Sequence, residues 1–140
     1  MELAEYHTHI ERKKLFSPTV LAVDDDSDNL LLLSYVLEGF DCTILSESDG
    51  HKALRLAQQM KPHLIVLDIL LPGLSGVEVL RYLKASSNTC SIPIIAVTAL
   101  ARSQDKDKLL AAGFSGYVSK PYFLGDIEKV IGRYLTPLDM

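Results

Sequence analysis

The sequence lacks several features that mark other classes of protein. It has two cysteines, Cys42 and Cys90, and their separation does not match the spacing of metal-binding cysteines. No apolar run approaches the length that a membrane span requires. The first residues contain no apolar core of the kind found in secretion signals. These absences predict a protein of the cytoplasm, with reduced thiols and no association with a membrane.

An excess of positive charge is also missing. The net charge is −4, which argues against a surface that binds DNA directly. Hydrophobic residues make up 48% of the chain and charged residues 23%, as in an ordinary globular protein and unlike a disordered one. A length of 140 residues is enough for one domain with a substantial core.

From Thr19 onward, apolar runs alternate with stretches of helical periodicity. The expected strands are 19–23, 42–46, 64–68, 93–98 and 116–119, and the expected helices are 27–38, 50–60, 76–85, 103–112 and 124–135. This alternation predicts an α/β fold: a doubly wound, five-stranded parallel sheet with helices on both faces. We expect residues 1–18 to form an N-terminal extension and residues 19–140 the domain. Because about five residues follow the last expected helix, we expect no further domain.

Polar side chains follow four of the expected strands. Asp24 and Asp25 follow the first strand, and Asp68, Thr98 and Lys120 come at the ends of the third, fourth and fifth. In an open parallel sheet, ligands bind at the carboxyl ends of the strands. Three clustered carboxylates repel one another unless a divalent cation lies among them, and a lysine and a hydroxyl suit an anionic group beside that cation. The sequence therefore predicts a metal-assisted phosphoryl site.

Four segments around these positions resemble the receiver domain of two-component response regulators. They are Leu-Ala-Val-Asp-Asp-Asp (21–26), Leu-Ile-Val-Leu-Asp-Ile-Leu-Leu-Pro-Gly (64–73), Ile-Ile-Ala-Val-Thr-Ala (94–99) and Tyr-Val-Ser-Lys-Pro (117–121). They occur in the family's order and spacing, and the likeness runs from about Val20 to Leu135. The resemblance implies a flavodoxin-like sheet with strand order 2-1-3-4-5.

The resemblance also implies a set of ligands for a cation. Asp68 would be the phosphoacceptor and a metal ligand, Asp25 would bind the metal directly, and Asp24 would bind it more often through water. The main-chain carbonyl of Leu70 would supply a further oxygen. Hard oxygen ligands with several waters fit Mg²⁺, or Mn²⁺ in its place.

Three other residues are expected to act on the phosphoryl group or to respond to it. Lys120 would present its charge to the phosphoryl oxygens, Thr98 would present a hydroxyl, and Tyr117 matches the family's switch aromatic. The Lys120–Pro121 bond matches a step that is cis in the family.

The expected function is that of a stand-alone response regulator. No histidine in the chain shows a catalytic pattern, so the phosphoryl group would come from a histidine kinase or a histidine phosphotransfer protein. The signal would pass to an unidentified downstream protein at the face formed by the fourth helix, fifth strand and fifth helix. We expect no enzymatic activity beyond Mg²⁺-dependent self-phosphorylation and slow self-dephosphorylation.

Aliphatic residues near the expected site predict a long-lived phosphorylated form. Leu70 and Leu100 occupy the second positions after Asp68 and Thr98, where polar side chains of other receivers orient an attacking water. Neither leucine can hold water in line, so self-hydrolysis should be slow.

The first helix carries more apolar residues than one face can bury. If Leu33, Val36 and Leu37 face the sheet, then Leu31 and Tyr35 point outward because residues of an α-helix are 100° apart. We interpret this exposed pair as a docking surface. The alternative is a surface helix that exposes apolar residues but has no role in docking.

Two other functions fit part of the pattern. Asp24 and Asp26 have the Asp-X-Asp spacing of Mg²⁺-dependent phosphatases with an aspartyl nucleophile, but no insertion would supply a cap over the substrate. A receiver-like interaction module that takes no phosphate is the second alternative, which the complete set of acids, hydroxyl and lysine disfavours. We interpret Asp26 as a solvated loop residue.

Overall fold

The structure, a computed structural model, describes residues 17–99, 103–121 and 123–138. Its strands are β1 (Thr19–Val23), β2 (Thr43–Glu47), β3 (Leu64–Asp68), β4 (Ile94–Thr98) and β5 (Gly116–Ser119). Its helices are α1 (Ser27–Leu37), α2 (Gly50–Met60), α3 (Gly76–Lys84), α4 (Ser103–Ala112) and α5 (Leu124–Ile131).

The five strands form one parallel sheet in the order β2-β1-β3-β4-β5, which confirms the predicted topology. Strands β3 and β4 are buried along their whole length, as expected for strands covered by helices on both faces. Because all strands run the same way, the residues that end β1, β3, β4 and β5 meet at one edge.

Side chains of the sheet alternate between two apolar clusters, one on each face. On β3, Ile65 and Leu67 join the cluster that receives α2 and α3, whereas Leu64 and Val66 join the cluster that receives α1 and α5. This alternation follows from the period of two along a strand. The two clusters therefore cover both faces of the sheet beneath its carboxyl edge.

Helix α1 buries the residues that its periodicity predicts. Leu33, Val36 and Leu37 are buried, whereas Leu31 is 71% exposed and Tyr35 67% exposed, which confirms the expected outward pair. Among the described residues, no helix is long and apolar enough to cross a bilayer.

Some predicted boundaries were wrong, most clearly at β2 and α5. Strand β2 lies one residue later than predicted because its ladder pairs Thr43 with Thr19 and Glu47 with Val23. Helix α5 ends at Ile131 instead of residue 135, because Gly132 caps it and the chain continues in turns. Leu135 is nevertheless buried. Its apolar spacing therefore made the predicted helix too long. Residues 1–16, most of the expected extension, lie outside the described residues, as does Leu100.

Candidate functional site

The carboxyl edge of the sheet brings the predicted polar residues together. Asp24 directly follows β1, Asp68 ends β3, Thr98 ends β4, and Lys120 directly follows β5. Asp24, Asp68 and Thr98 are buried, whereas Asp25 is exposed. These three buried residues therefore form the side of the site that is fixed in the core, and Asp25 lies on the side that is open to solvent.

Lys120 connects the acids of two strands. Its Nζ lies 2.8 Å from Asp24 Oδ2 and 3.0 Å from Asp68 Oδ2. The Lys120 amide also donates to the carbonyl oxygen of Thr98 at 2.7 Å, which ties the loop after β5 to the end of β4. The Lys120–Pro121 peptide bond is cis, as predicted.

The other oxygen of each buried carboxylate accepts a hydrogen bond from the backbone. The amide of Asp26 donates to Asp24 Oδ1 at 2.9 Å, and the amide of Leu70 donates to Asp68 Oδ1 at 3.0 Å. Each carboxylate is thus held at both ends, by an amide on one oxygen and by Lys120 on the other. This arrangement fixes the side-chain orientation before any ligand binds.

The site carries more negative than positive charge. One oxygen from each of Asp24, Asp25 and Asp68 lies within 4.8 Å of the others, and a single ammonium cannot balance three carboxylates. Burial raises the pKa of Asp68 above its ordinary value, and hydrogen bonds from Lys120 and Leu70 offset this only in part. Burial acts to lower the pKa of Lys120, but its hydrogen bonds to Asp24 and Asp68 outweigh burial and raise it.

The donor set fits a divalent cation. Three carboxylates in reach of one point are the hard oxygen ligands that Mg²⁺ and Mn²⁺ prefer, and the exposed side at Asp25 leaves room for water ligands. The hydrogen bond from the Leu70 amide to Asp68 places the Leu70 main chain beside the site, whereas Leu70 as a whole is 59% exposed. The roles of the Leu70 carbonyl and of the individual acids as ligands stay predictions.

Tyr117 lies on β5 at some remove from the acids. It pairs with Ala96, two residues before Thr98 on the neighbouring strand, and packs half-buried against the α2–α3 cluster. From α4, Lys106 places its Nζ 4.8 Å from the centroid of the Tyr117 ring. Tyr117 is therefore adjacent both to the strand of Thr98 and to the fourth helix.

Two supporting residues were not recognised from the sequence. Asp26 is exposed, as interpreted, but its carboxylate accepts from the amides of Asp28 and Asn29 and so caps α1. An aspartate just before a helical pattern is the signal that could have identified it. At Gly76, a Cβ atom would lie 2.5 Å from the Asp68 carbonyl oxygen, so the lack of a side chain lets α3 begin against the end of β3.

Comparisons with known proteins agree on one family. The sequence matches the response regulator receiver domain over residues 20–132. It is 35% identical over 117 residues to the polar-differentiation response regulator DivK of Brucella anthropi, covering 84% of this chain and 95% of DivK. It is 34% identical over 121 residues to the sensor protein GacS of Pseudomonas syringae pv. syringae, but this match covers 84% of this chain and 13% of the sensor.

A solved structure gives the same answer. The receiver domain of the sensor histidine kinase PA1611 from Pseudomonas aeruginosa PAO1 is 29% identical, with a TM-score of 0.75, and the match covers 84% of this chain and 97% of that one. That domain has a magnesium ion coordinated in its active site cleft.

Proposed function

The chain belongs to the response regulator receiver family of two-component signalling, and on this premise we propose that it accepts a phosphoryl group on Asp68. The observation that carries the proposal is the bridge from Lys120 Nζ to both Asp24 Oδ2 and Asp68 Oδ2, with Asp25 alongside. A carboxylate, a lysine and further acids in this arrangement suit attack on phosphorus better than a purely structural role.

The proposed reaction uses the oxygen of Asp68 that Lys120 contacts. Leu70 holds Oδ1 by its amide, and Oδ2 forms the bond to phosphorus. The P–N bond of the donor's phosphohistidine breaks, and the imidazole leaves with the electron pair of that bond. The ammonium of Lys120 then pairs with a phosphoryl oxygen, as the hydroxyl of Thr98 also does.

We propose Mg²⁺ as the cofactor, held by Asp24, Asp25, Asp68 and the main-chain carbonyl of Leu70. When bound, the cation screens the negative charge of both the carboxylate and the phosphoryl group. The three clustered acids and the magnesium ion in the related PA1611 receiver domain support this assignment.

The phosphoryl donor is proposed to be a histidine kinase or a histidine phosphotransfer protein. The similarity to DivK and to part of the sensor GacS supports a place in such a relay. The output surface is proposed to be the face made by α4, β5 and α5, where Tyr117 and Lys106 meet.

The acceptor is tested by intact-mass measurement after incubation with acetyl phosphate and Mg²⁺. The parent chain should gain one phosphoryl group, and Asp68→Asn should gain none. Asp26→Asn is the matched control, because it removes a nearby acid while asparagine still caps α1. An adduct that persists in Asp68→Asn would show that another residue is the acceptor.

The phosphatase alternative is disfavoured by Asp26. Its carboxylate is engaged by the amides of Asp28 and Asn29 at 2.8 and 3.3 Å, so it is oriented toward the start of α1. Turnover of a generic phosphate ester by the parent chain would revive this alternative. Failure of the parent to take any phosphoryl group, with the fold intact, would favour the interaction module.

A further inference from the structure

A cation–aromatic contact joins α4 to the fifth strand. The Nζ atom of Lys106 lies 4.8 Å from the centroid of the Tyr117 ring, within the distance at which an ammonium is attracted to an aromatic face. A hydrogen bond with Tyr117 also raises the pKa of Lys106. Tyr117 thus meets a positive charge on the side of the ring that faces α4.

In the part of α4 whose side chains the structure describes, few other residues attach the helix to the domain. Over residues 105–112, Leu109 is the single buried side chain, whereas α3 buries Val79, Leu80 and Leu83. A helix with little buried apolar surface is displaced at low cost. Its contact with Tyr117 therefore adds to the packing of Leu109 in positioning α4.

We propose that Lys106 is a positioning residue that holds the half-buried Tyr117 ring against α4, here called its outward position, and opposes its inward rotation. The proposal rests on the proposed function and adds that phosphorylation of Asp68 turns the Tyr117 ring away from α4 and inward, as expected of a switch aromatic. When the ring leaves this outward position, the ammonium loses the aromatic face and regains only water. The outward state is therefore favoured selectively, which is the condition for a contact to shift a two-state equilibrium.

The size of the effect follows from the exposure of the contact. An exposed cation–aromatic pair is weak. Loss of the contact should therefore change the ratio of outward to inward states by about two- to five-fold. A change of this size sets the resting level of a signalling domain without preventing its activation. Lys106 and Tyr117 also both line the groove between α4 and α5, so their contact forms part of the proposed output surface.

The test compares three variants by NMR of the Tyr117 ring, before and after phosphorylation with acetyl phosphate and Mg²⁺. Lys106→Met removes the charge but keeps an apolar stem, and Lys106→Arg keeps a cation that stacks on the ring. Lys108→Met is the matched control, because Lys108 is an exposed lysine of the same helix. In the resting state, the ring signals of Lys106→Met should lie closer to their phosphorylated position than those of the parent, by a shift that corresponds to about a two- to five-fold change in the ratio of the two states. The ring signals of Lys106→Arg and Lys108→Met should match those of the parent.

The outcomes separate this inference from the proposed function. If phosphorylation moves the ring signals of the parent but Lys106→Met behaves like Lys108→Met, the inference is wrong and the proposed function stands. If phosphorylation leaves the ring signals of the parent unchanged, Tyr117 is not a switch, and the role of Lys106 falls with it.

Discussion

At the scale of single residues, Asp68 is held in an environment that disfavours its charge. Burial raises its pKa despite the hydrogen bonds from Lys120 and Leu70, so the folded state binds the Asp68 proton more tightly than the unfolded state. The stability contributed by this group is present in full below the ordinary carboxyl pKa and is lost as the pH rises through the raised value. The ionised Asp68 carboxylate, which the proposed phosphoryl transfer would require, therefore lowers the free energy of unfolding at neutral pH.

We predict that Asp68→Asn raises the melting temperature at neutral pH in the presence of a chelator. The gain should shrink as the pH is lowered, since Asp68 is then protonated in the parent as well. Lys120 keeps Asp24 as a partner in the variant, so no ammonium is left unpaired. Thermal melts across the acidic to neutral range measure this, and a lower melting temperature at neutral pH would contradict it.

Leu70 gives a second prediction at this scale, on the lifetime of the phosphorylated form. Its amide binds Asp68, and its side chain is 59% exposed, so a polar group there would meet solvent next to the phosphoryl group. We expect Leu70→Asn to shorten the lifetime several-fold, because an amide can orient an attacking water. Decay of the phosphorylated form is followed by intact mass, with Leu70→Met as the aliphatic control. Equal lifetimes for the two variants would show that the leucine is incidental.

At the scale of elements, the start of α1 depends on Asp26. Its carboxylate satisfies the amides of Asp28 and Asn29, and its own amide binds Asp24. We predict that Asp26→Ala lowers the free energy of unfolding by about 1 kcal/mol, the usual cost of losing such a cap. Urea denaturation should show this loss, whereas Asp26→Asn should remain close to the parent. An unchanged midpoint for Asp26→Ala would mean that the cap contributes nothing.

The same scale shows what the sequence can and cannot predict. Buried strands such as β3 and β4 were located to within one residue because continuous apolar runs identify them. The predicted bounds of the edge strand β2 were one residue too early, because its residues are only partly buried and its register depends on β1. The sequence placed Lys120 at the correct edge, but the rotamer that joins it to Asp24 and Asp68 depends on packing that no local pattern encodes.

At the scale of the whole molecule, the charge imbalance of the site makes stability depend on cations. A ligand that binds only the folded state stabilises it by mass action, by about 1.4 kcal/mol at ten times its dissociation constant. We predict that millimolar Mg²⁺ raises the melting temperature and that Asp25→Ala removes most of the rise. Asp25 is exposed, so this change does not disturb the core. Asp28→Asn, in the first turn of α1, is the control, and an equal loss of response in both variants would argue against a specific site.

The proposed coupling between the site and the α4–β5–α5 face would also be a property of the whole molecule. Thr98 is fully buried and pairs with Ser119, two residues after Tyr117 on β5, and its carbonyl accepts from the Lys120 amide. A phosphoryl group on Asp68 offers the Thr98 hydroxyl a strong acceptor. We expect a movement of Thr98 toward it to change the packing behind Tyr117 and so to bias a pre-existing two-state equilibrium.

We therefore predict that phosphorylation changes amide hydrogen exchange most in residues 105–112 and 116–121. Helix α4 should respond because Leu109 is the single buried side chain over residues 105–112, so that this part of the helix opens at low cost. Thr98→Ala should abolish the change at equal phosphoryl occupancy, since it removes the hydroxyl, whereas Thr98→Ser should retain it. Exchange measured by mass spectrometry on samples of matched occupancy checks this. A response confined to the loop after β3, or one that survives in Thr98→Ala, would show that the signal leaves the site by another route.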